Sequence, residues 1–285
     1  IVYRLDIIEQ IRKGSSLMQQ HLIAIDLDGT TLNDQSQISD RTIETLRKLD
    51  DLGHLVCIVT GRPYRNSKDI YRKLGLKNPI VNFNGALCHY PGKDSWLPSY
   101  HHELDKEIAF ELYQRQDEFD IDVILAEGKD QLYSSTLNIP DSPFYPKDSS
   151  LIANLNRQTL VSNPTALTVL CPEDKMKDIE NQIMAHYGKE VSVRTWGGIL
   201  PLLEIIKADI HKDDGVKAIA DFYRIPREAI LAFGDENNDL EMMQYAGIGV
   251  AMKNARPEIL EIADQVTEYT NDEDGLAHFL SHYFD

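Results

Sequence analysis

The stretch AIDLDGTTL, Ala24 to Leu32, carries two aspartates separated by one residue, followed by a glycine and two threonines. On an extended backbone that spacing sets both carboxylates on one side. Like charges held so close are unfavourable unless a cation or a proton lies between them. Asp26 and Asp28 therefore point to chemistry rather than to architecture. Further polar clusters occur at Thr60-Gly61-Arg62, at Lys212, and at Gly234-Asp235 with Asn238-Asp239. A hard divalent cation accounts for the acids, since it prefers oxygen ligands. Thr60, Lys212 and Asn238 offer a hydroxyl, an ammonium and an amide to an anion.

Each cluster falls at or just past the carboxyl end of an expected strand, except Lys212, which opens a helix. LIAID is an apolar run ending in the aspartates, as a buried parallel strand should be. Ser39 can cap a helix bearing Ile43, Leu46, Leu49 and Leu52 at helical spacing, closed by Gly53. LVCIV runs into Thr60, a second helix reaches Leu74 before Gly75, and IVNF meets the turn Asn84-Gly85. After about Ile206 the rhythm resumes, with a stripe at Val216, Ile219, Ala220 and Tyr223, then AILAF, IGVAM and a helix with Pro257 near its first turn. This β-α-β order predicts an α/β fold with a doubly wound, Rossmann-like parallel sheet. In such open sheets ligands bind at the carboxyl edge, where these clusters gather.

The middle reads differently. Prolines concentrate there, NIPDSPFYPKDSS is irregular, and ALTVL and VSVRTW alternate as strands do, with helical stretches near 105–118 and 173–187. The expectation is an inserted α+β domain over residues 87–205, with the core formed by 18–86 and 206–285. Residues 1–17 precede the first strand, with Met18 just after them, and are set apart as an extension outside the fold.

The chain has 285 residues and a formal net charge of −17, from 46 acidic and 29 basic side chains. That balance disfavours nucleic acid or an acidic membrane as partner, but leaves room for one small anion held by local cations. No run approaches the roughly 18 apolar residues of a membrane span. Cys57, Cys88 and Cys171 are scattered and form no CxxC, so a reducing cytoplasm fits best. Either a monomer or a homodimer is compatible with the sequence.

The ordered set DLDGT, Thr60, Lys212 and GDENND resembles the haloacid dehalogenase superfamily of phosphatases, and the insertion resembles the large type-2 cap of its Cof-type subfamily. NGA at Asn84–Ala86, VAMKNA at Val250–Ala255 and EDG at Glu273–Gly275 are similar to that subfamily as well. The resemblance implies a magnesium-dependent phosphatase for small phosphomonoesters such as sugar phosphates. It implies that Asp26 is the nucleophile that becomes an aspartyl-phosphate, and that Asp28 is the acid–base partner. Asp26, the Asp28 backbone carbonyl and Asp235 would hold Mg²⁺, with Asp239 beside them. Thr60, Lys212 and Asn238 would hold the transferring oxygens, Gly61 belongs to the same turn, and Arg62 would reach the substrate or line the boundary with the cap. A phosphotransferase or mutase using the same aspartyl-phosphate is the alternative, as is a weakened member that only binds phosphate ligands.

One departure bears on Lys212. The superfamily usually has Gly after this lysine, whereas Asp213 follows here; it either weakens phosphate affinity or caps the helix from outside the pocket. His101-His102 has no partner at metal-ligand spacing and is expected to face solvent. Trp96, Tyr133, Tyr145 and Trp196 are expected to pack in the core or touch a substrate.

Overall fold

The computed structural model describes residues 19–285 apart from 141, 143, 147 and 196–199; Trp196 and the extension 1–17 lie outside the described residues. The chain starts with β1 (Leu22–Ile25), α1 (Asp40–Asp51), β2 (Leu55–Ile58), α2 (Tyr64–Leu74) and β3 (Ile80–Asn82). Ser39 caps α1 by accepting from the Thr42 N–H at 3.0 Å, and Gly75 ends α2 with φ 71°. Next come β4 (Leu87–His89) and β5 (Tyr100–His101), which continue from β3 as an antiparallel sheet. The insertion holds α3 (Lys106–Gln114), β6 (Val123–Glu127), β7 (Leu132–Ser134), β8 (Ile152–Asn154), β9 (Ala166–Leu170), α4 (Met176–Tyr187), β10 (Val191–Thr195) and β11 (Leu202–Lys207). The chain then returns through α5 (Lys212–Tyr223), β12 (Ile230–Gly234), α6 (Leu240–Tyr245), β13 (Ile248–Ala251), α7 (Pro257–Ile262), β14 (Gln265–Val266) and α8 (Gly275–Phe284).

The core sheet is parallel, in the order β14-β13-β12-β1-β2, and Val59 bridges in parallel to Val81 beside β3. Strand order thus runs outward from β1 to β2 and β3, then reverses through β12, β13 and β14. That reversal opens a crevice at the carboxyl end of β1, where Asp26 sits. All four residues of β1 are buried because both faces are covered. Leu22 and Ala24 pack with Val216, Ile219, Met242 and Ile259 on one face. Ile23 and Ile25 pack with Leu46, Leu74 and Leu280 on the other.

The insertion builds its own six-stranded sheet, β10-β11-β9-β6-β7-β8, antiparallel except for the β7–β8 pair. Ile124, Leu167, Leu203 and Ile205 face the helices, packing with Ile108, Leu112, Ile179 and Ile183. Glu204 lies between Leu203 and Ile205 and so takes the opposite face, in register with Arg194 and Thr168. Residue 87, the boundary read from sequence, falls inside the β3-β4-β5 sheet. Cys88, Tyr90 and Trp96 pack into the core cluster rather than under the inserted sheet. Tyr145 is buried, whereas His101 is exposed and meets Thr165 Oγ1 at 2.7 Å. The cysteines are free and buried, and among the described residues no helix is long and apolar enough to cross a membrane.

Candidate active site

Past Asp26, itself still extended, the backbone turns. Residues Leu27–Thr31 form one turn, with Gly29 at φ 72°. A side chain there is excluded twice, because the left-handed region disfavours it and a Cβ would overlap the Asp235 carboxylate. Thr31 Oγ1 donates to the Asp26 carbonyl, and Asn254 Nδ2 donates to the Gly29 carbonyl at 2.8 Å. The VAMKNA stretch therefore braces the turn from below.

The turn sends the Asp26 and Asp28 carboxylates to different cationic side chains. Asp28 is gripped by Arg62, whose Nε donates to Oδ2 at 2.7 Å while Nη2 donates to Oδ1. Arg62 also lies over the Phe144 ring at 5.4 Å, on the boundary with the insertion. Asp26 faces Lys212 instead, with Nζ donating to its Oδ1 at 2.7 Å and to Asp239 Oδ1 at 2.6 Å. Lys212 is fully buried at the first turn of α5. Asp213 turns away from these groups and pairs with Lys217 one turn along, so it leaves the Lys212 ammonium undisturbed. The helix is capped by Asp214, which accepts from the His211 N–H at 3.0 Å.

Asp235 accepts from Thr30 Oγ1 at 2.9 Å, and Asp239 Oδ2 accepts the Asp235 and Glu236 N–H groups at 3.0 and 3.2 Å. Asp239 thus caps its own turn while binding Lys212. Among the described residues, carboxylate oxygens of Asp26, Asp235 and Asp239 lie within 4.8 Å of one another, and all three residues are buried. An all-oxygen, acidic, desolvated set suits a hard divalent cation. The Asp28 carboxylate is not in this group. Burial pushes Asp26 up to about 7 despite the Lys212 ammonium, and pushes Asp235 up to about 8 with Asp26 and Asp239 adding to the effect. Burial works against the charge on Lys212, yet Asp239 and Asp26 outweigh it and hold the ammonium firmly protonated.

Thr60 closes the β2 edge, with its N–H on the Val81 carbonyl at 3.0 Å and its Oγ1 accepting the Arg62 N–H at 3.1 Å. Asn238 Nδ2 donates to Asn84 Oδ1 at 2.9 Å, and Asn84 Nδ2 donates to Glu204 Oε2 at 2.8 Å. Asn84 and Glu204 were missed as site residues: NGA marks a turn in sequence, and Glu204 is one acid in an apolar strand. Asp26, Asp28, Thr60, Gly61, Arg62 and Asn238 line one cleft of about 820 Å³, roofed by Phe144, Ser192 and Glu204 from the insertion.

A parallel α/β sheet whose edge holds a buried lysine among acids, with Asp26 and Asp28 facing a roofed cleft, has the arrangement of a hydrolase core. The sequence matches the haloacid dehalogenase-like hydrolases over residues 23–280, and the chain belongs to that family, in its Cof-type branch. It is 39% identical over 275 residues to the 5-amino-6-(5-phospho-D-ribitylamino)uracil phosphatase YitU of Bacillus subtilis, covering 93% of this chain and 97% of that one. Phosphatase YwpJ of the same organism is 31% identical, with 92% and 99% covered. A haloacid dehalogenase-like hydrolase from Bacteroides thetaiotaomicron superposes with a TM-score of 0.82 at 25% identity, covering 93% of this chain and all of the other. The chain is accordingly a phosphoric monoester hydrolase.

Proposed function

We propose that the protein hydrolyses small phosphomonoesters, with sugar- or polyol-type leaving groups, through an aspartyl-phosphate on Asp26. The clustering of Asp26, Asp235 and Asp239, with Lys212 bonded to Asp26 and Asp239 and Asp26 lining a roofed cleft, carries this reading. Asp26, Asp235, Asp239 and the Asp28 backbone carbonyl would hold Mg²⁺. When bound, the ion would neutralise the buried acids and the charge of the transferring group. Asp26 Oδ2 is the oxygen left free of the Lys212 bond, and it attacks phosphorus. Lys212, Thr60 and Asn238 hold the phosphoryl oxygens as charge shifts between them. Asp28 protonates the departing alkoxide and then takes a proton from the water that attacks phosphorus, so that the Asp26 O–P bond breaks and inorganic phosphate leaves; this requires one of its two Arg62 bonds to open. The inserted sheet excludes bulk water meanwhile.

The YitU relative names a candidate substrate, the 5-phosphate of a ribitylamino-uracil, whose polyol end matches the polar cleft. Purified protein is to be screened against that ester and a panel of sugar phosphates, with and without Mg²⁺, beside Asp26→Asn. Metal-dependent phosphate release that the variant lacks is expected. Equal release by the variant removes Asp26 as nucleophile, and release that requires an acceptor sugar would make the protein a transferase.

A further inference from the structure

Polar contacts tie the inserted sheet to the core at Arg65, Arg194 and Asn84. Arg65 Nη2 donates to Glu127 Oε2 at 2.6 Å, and Arg194 Nη2 donates to the Ile210 carbonyl at 2.7 Å. The Asn84 contact is different in kind, because it continues into the candidate site. Glu204 is about 1% exposed, and its Oε2 accepts from Asn84 Nδ2, while Asn84 Oδ1 accepts from Asn238 Nδ2. All three residues line the substrate cleft.

The order of donors along this chain is dictated from one end. Glu204 Oε2 accepts from Asn84 Nδ2, and an accepting carboxylate oxygen at that place demands the amino end of the Asn84 amide. That demand turns the Asn84 carbonyl oxygen towards Asn238, which must in turn offer its own amino end. An asparagine amide is nearly symmetric in shape, so without such a partner either orientation would fill the space. The core holds Asn84 ready for this task. Its backbone is left-handed, with φ 53°, and its N–H donates to the Thr60 carbonyl at 3.2 Å. Gly61 leaves room for the amide, whose oxygen and nitrogen lie 3.0 and 3.2 Å from where a Cβ on that glycine would stand. Asn238 is left with a second Nδ2 hydrogen, and its Oδ1 is buried with no hydrogen-bond partner.

We propose that Glu204 and Asn84 are positioning residues that set the amide polarity of Asn238, so that its N–H faces the transferring phosphoryl group only while the inserted sheet covers the core. This rests on the phosphatase reading above. The cap then completes the phosphate site as well as roofing it, through a contact spanning 120 residues of sequence.

The test is a double-mutant cycle on the full chain, with p-nitrophenyl phosphate as substrate and orthovanadate as a phosphoryl mimic whose binding is read by calorimetry. Glu204→Leu and Asn84→Ala are expected to lower kcat about tenfold and weaken orthovanadate by a similar factor, with KM held within about twofold. Glu204→Gln keeps an acceptor oxygen and should stay within about threefold of the parent. Glu204→Leu added to Asn238→Ala should cost nothing beyond Asn238→Ala alone, because the residues act as one unit. Additive losses, a change in KM with orthovanadate binding intact, or equal damage from Glu204→Gln and Glu204→Leu would each overturn the relay. If Glu204→Leu does not fold, Asn84→Ala with Asn238→Ala runs the same cycle from the core side. Asp26→Asn separates the two readings: turnover that survives it removes the nucleophile, while orthovanadate binding still decides the relay.

Discussion

Lys212 Nζ lies 2.7 Å from Asp26 Oδ1 across 186 residues of sequence, and the same ammonium reaches Asp239 Oδ1 at 2.6 Å. One cation thereby joins the end of β1 to the end of β12 inside a desolvated site. A buried charge is tolerated only when paired and hydrogen-bonded, so this lysine serves architecture as well as chemistry. Lys212→Met should lower turnover at least about a hundredfold. It should also lower unfolding free energy by about 3 kcal/mol, because two buried acids lose their counter-charge. Phosphate release and urea unfolding of the same preparation check both, and unchanged turnover removes Lys212 from the mechanism.

Divalent metal should stabilise the fold more as pH rises. Burial pushes Asp26 up to about 7 and Asp235 up to about 8, so the metal-free folded state holds protons that the unfolded chain has released. Their contribution is present at low pH and is lost as pH rises through 7 to 8. Mg²⁺ replaces those protons. The gain in Tm on adding Mg²⁺ should therefore be larger at pH 8 than at pH 6, and chelation should abolish both the gain and the activity. A gain independent of pH would place the ion elsewhere.

Arg62→Ala should separate activity from stability. The side chains of the Asp28–Arg62 pair are 44% and 11% exposed, so the pair itself is worth only about 1 kcal/mol or less. Yet Arg62 orients the proposed acid, so kcat/KM should fall about tenfold. Arg62→Lys cannot reproduce the fork and should recover little. Melting curves beside steady-state kinetics decide this; a large loss of stability with little loss of rate would make the pair architectural.

His89 should weaken the fold in acid. Burial lowers its pKa to about 3, with Lys129 and His101 adding to the effect, and Asn82 Oδ1 lies 3.2 Å from its Nε2. A histidine with a depressed folded-state pKa is fully tolerated above its unfolded value near 6.5 and costs stability as pH falls towards 3. The wild type should lose roughly 1 kcal/mol per pH unit more than His89→Gln between pH 6 and pH 5. Taking the difference between the two proteins cancels the other titrating groups, and parallel stability curves would count against a buried neutral imidazole.

Gly29→Ala should fail at the turn. The residue would be strained at φ 72° and its Cβ would overlap the Asp235 carboxylate. A loss of about 1–3 kcal/mol is expected, together with weaker Mg²⁺ binding by calorimetry. Retention of both would show that Asp235 can move freely.

Much of this site is legible in sequence because it hangs on strand ends. Apolar runs such as LIAID and AILAF announce buried parallel strands, and whatever follows them must reach the carboxyl edge of the sheet. Asp26, Thr60, Asp235 and Asp239 are found in this way. What escapes is anything set by side-chain direction across large sequence gaps. Arg62 meets Asp28 because the chain turns at Leu27 rather than staying extended, and no local pattern reveals that turn's exit. Asp213 points away from Lys212 because Lys217 sits one turn along, a helical relation visible only once the helix start is known. Glu204 meets Asn84 through strand register in a separate sheet, where period-two alternation says which face an acid takes but not what it confronts. The stretch from Leu87 to His101 reads as part of the insertion because nothing local marks it off from the proline-rich middle, yet it pairs onto β3 and buries Trp96 against α5.

The position of β1 in the middle of its sheet has a consequence for biosynthesis. One neighbour, β2, begins at Leu55, while the other, β12, begins only at Ile230. A chain leaving the ribosome in order must therefore keep one hydrogen-bonding edge of β1 open until Ile230 and the strand it begins have emerged. The intervening sheet, which carries its own apolar layer, is able to condense first and draw the distant halves together, replacing a long flexible loop with a short, rigid one. The inserted sheet over the cleft would then also act as the splint on which the catalytic floor is assembled.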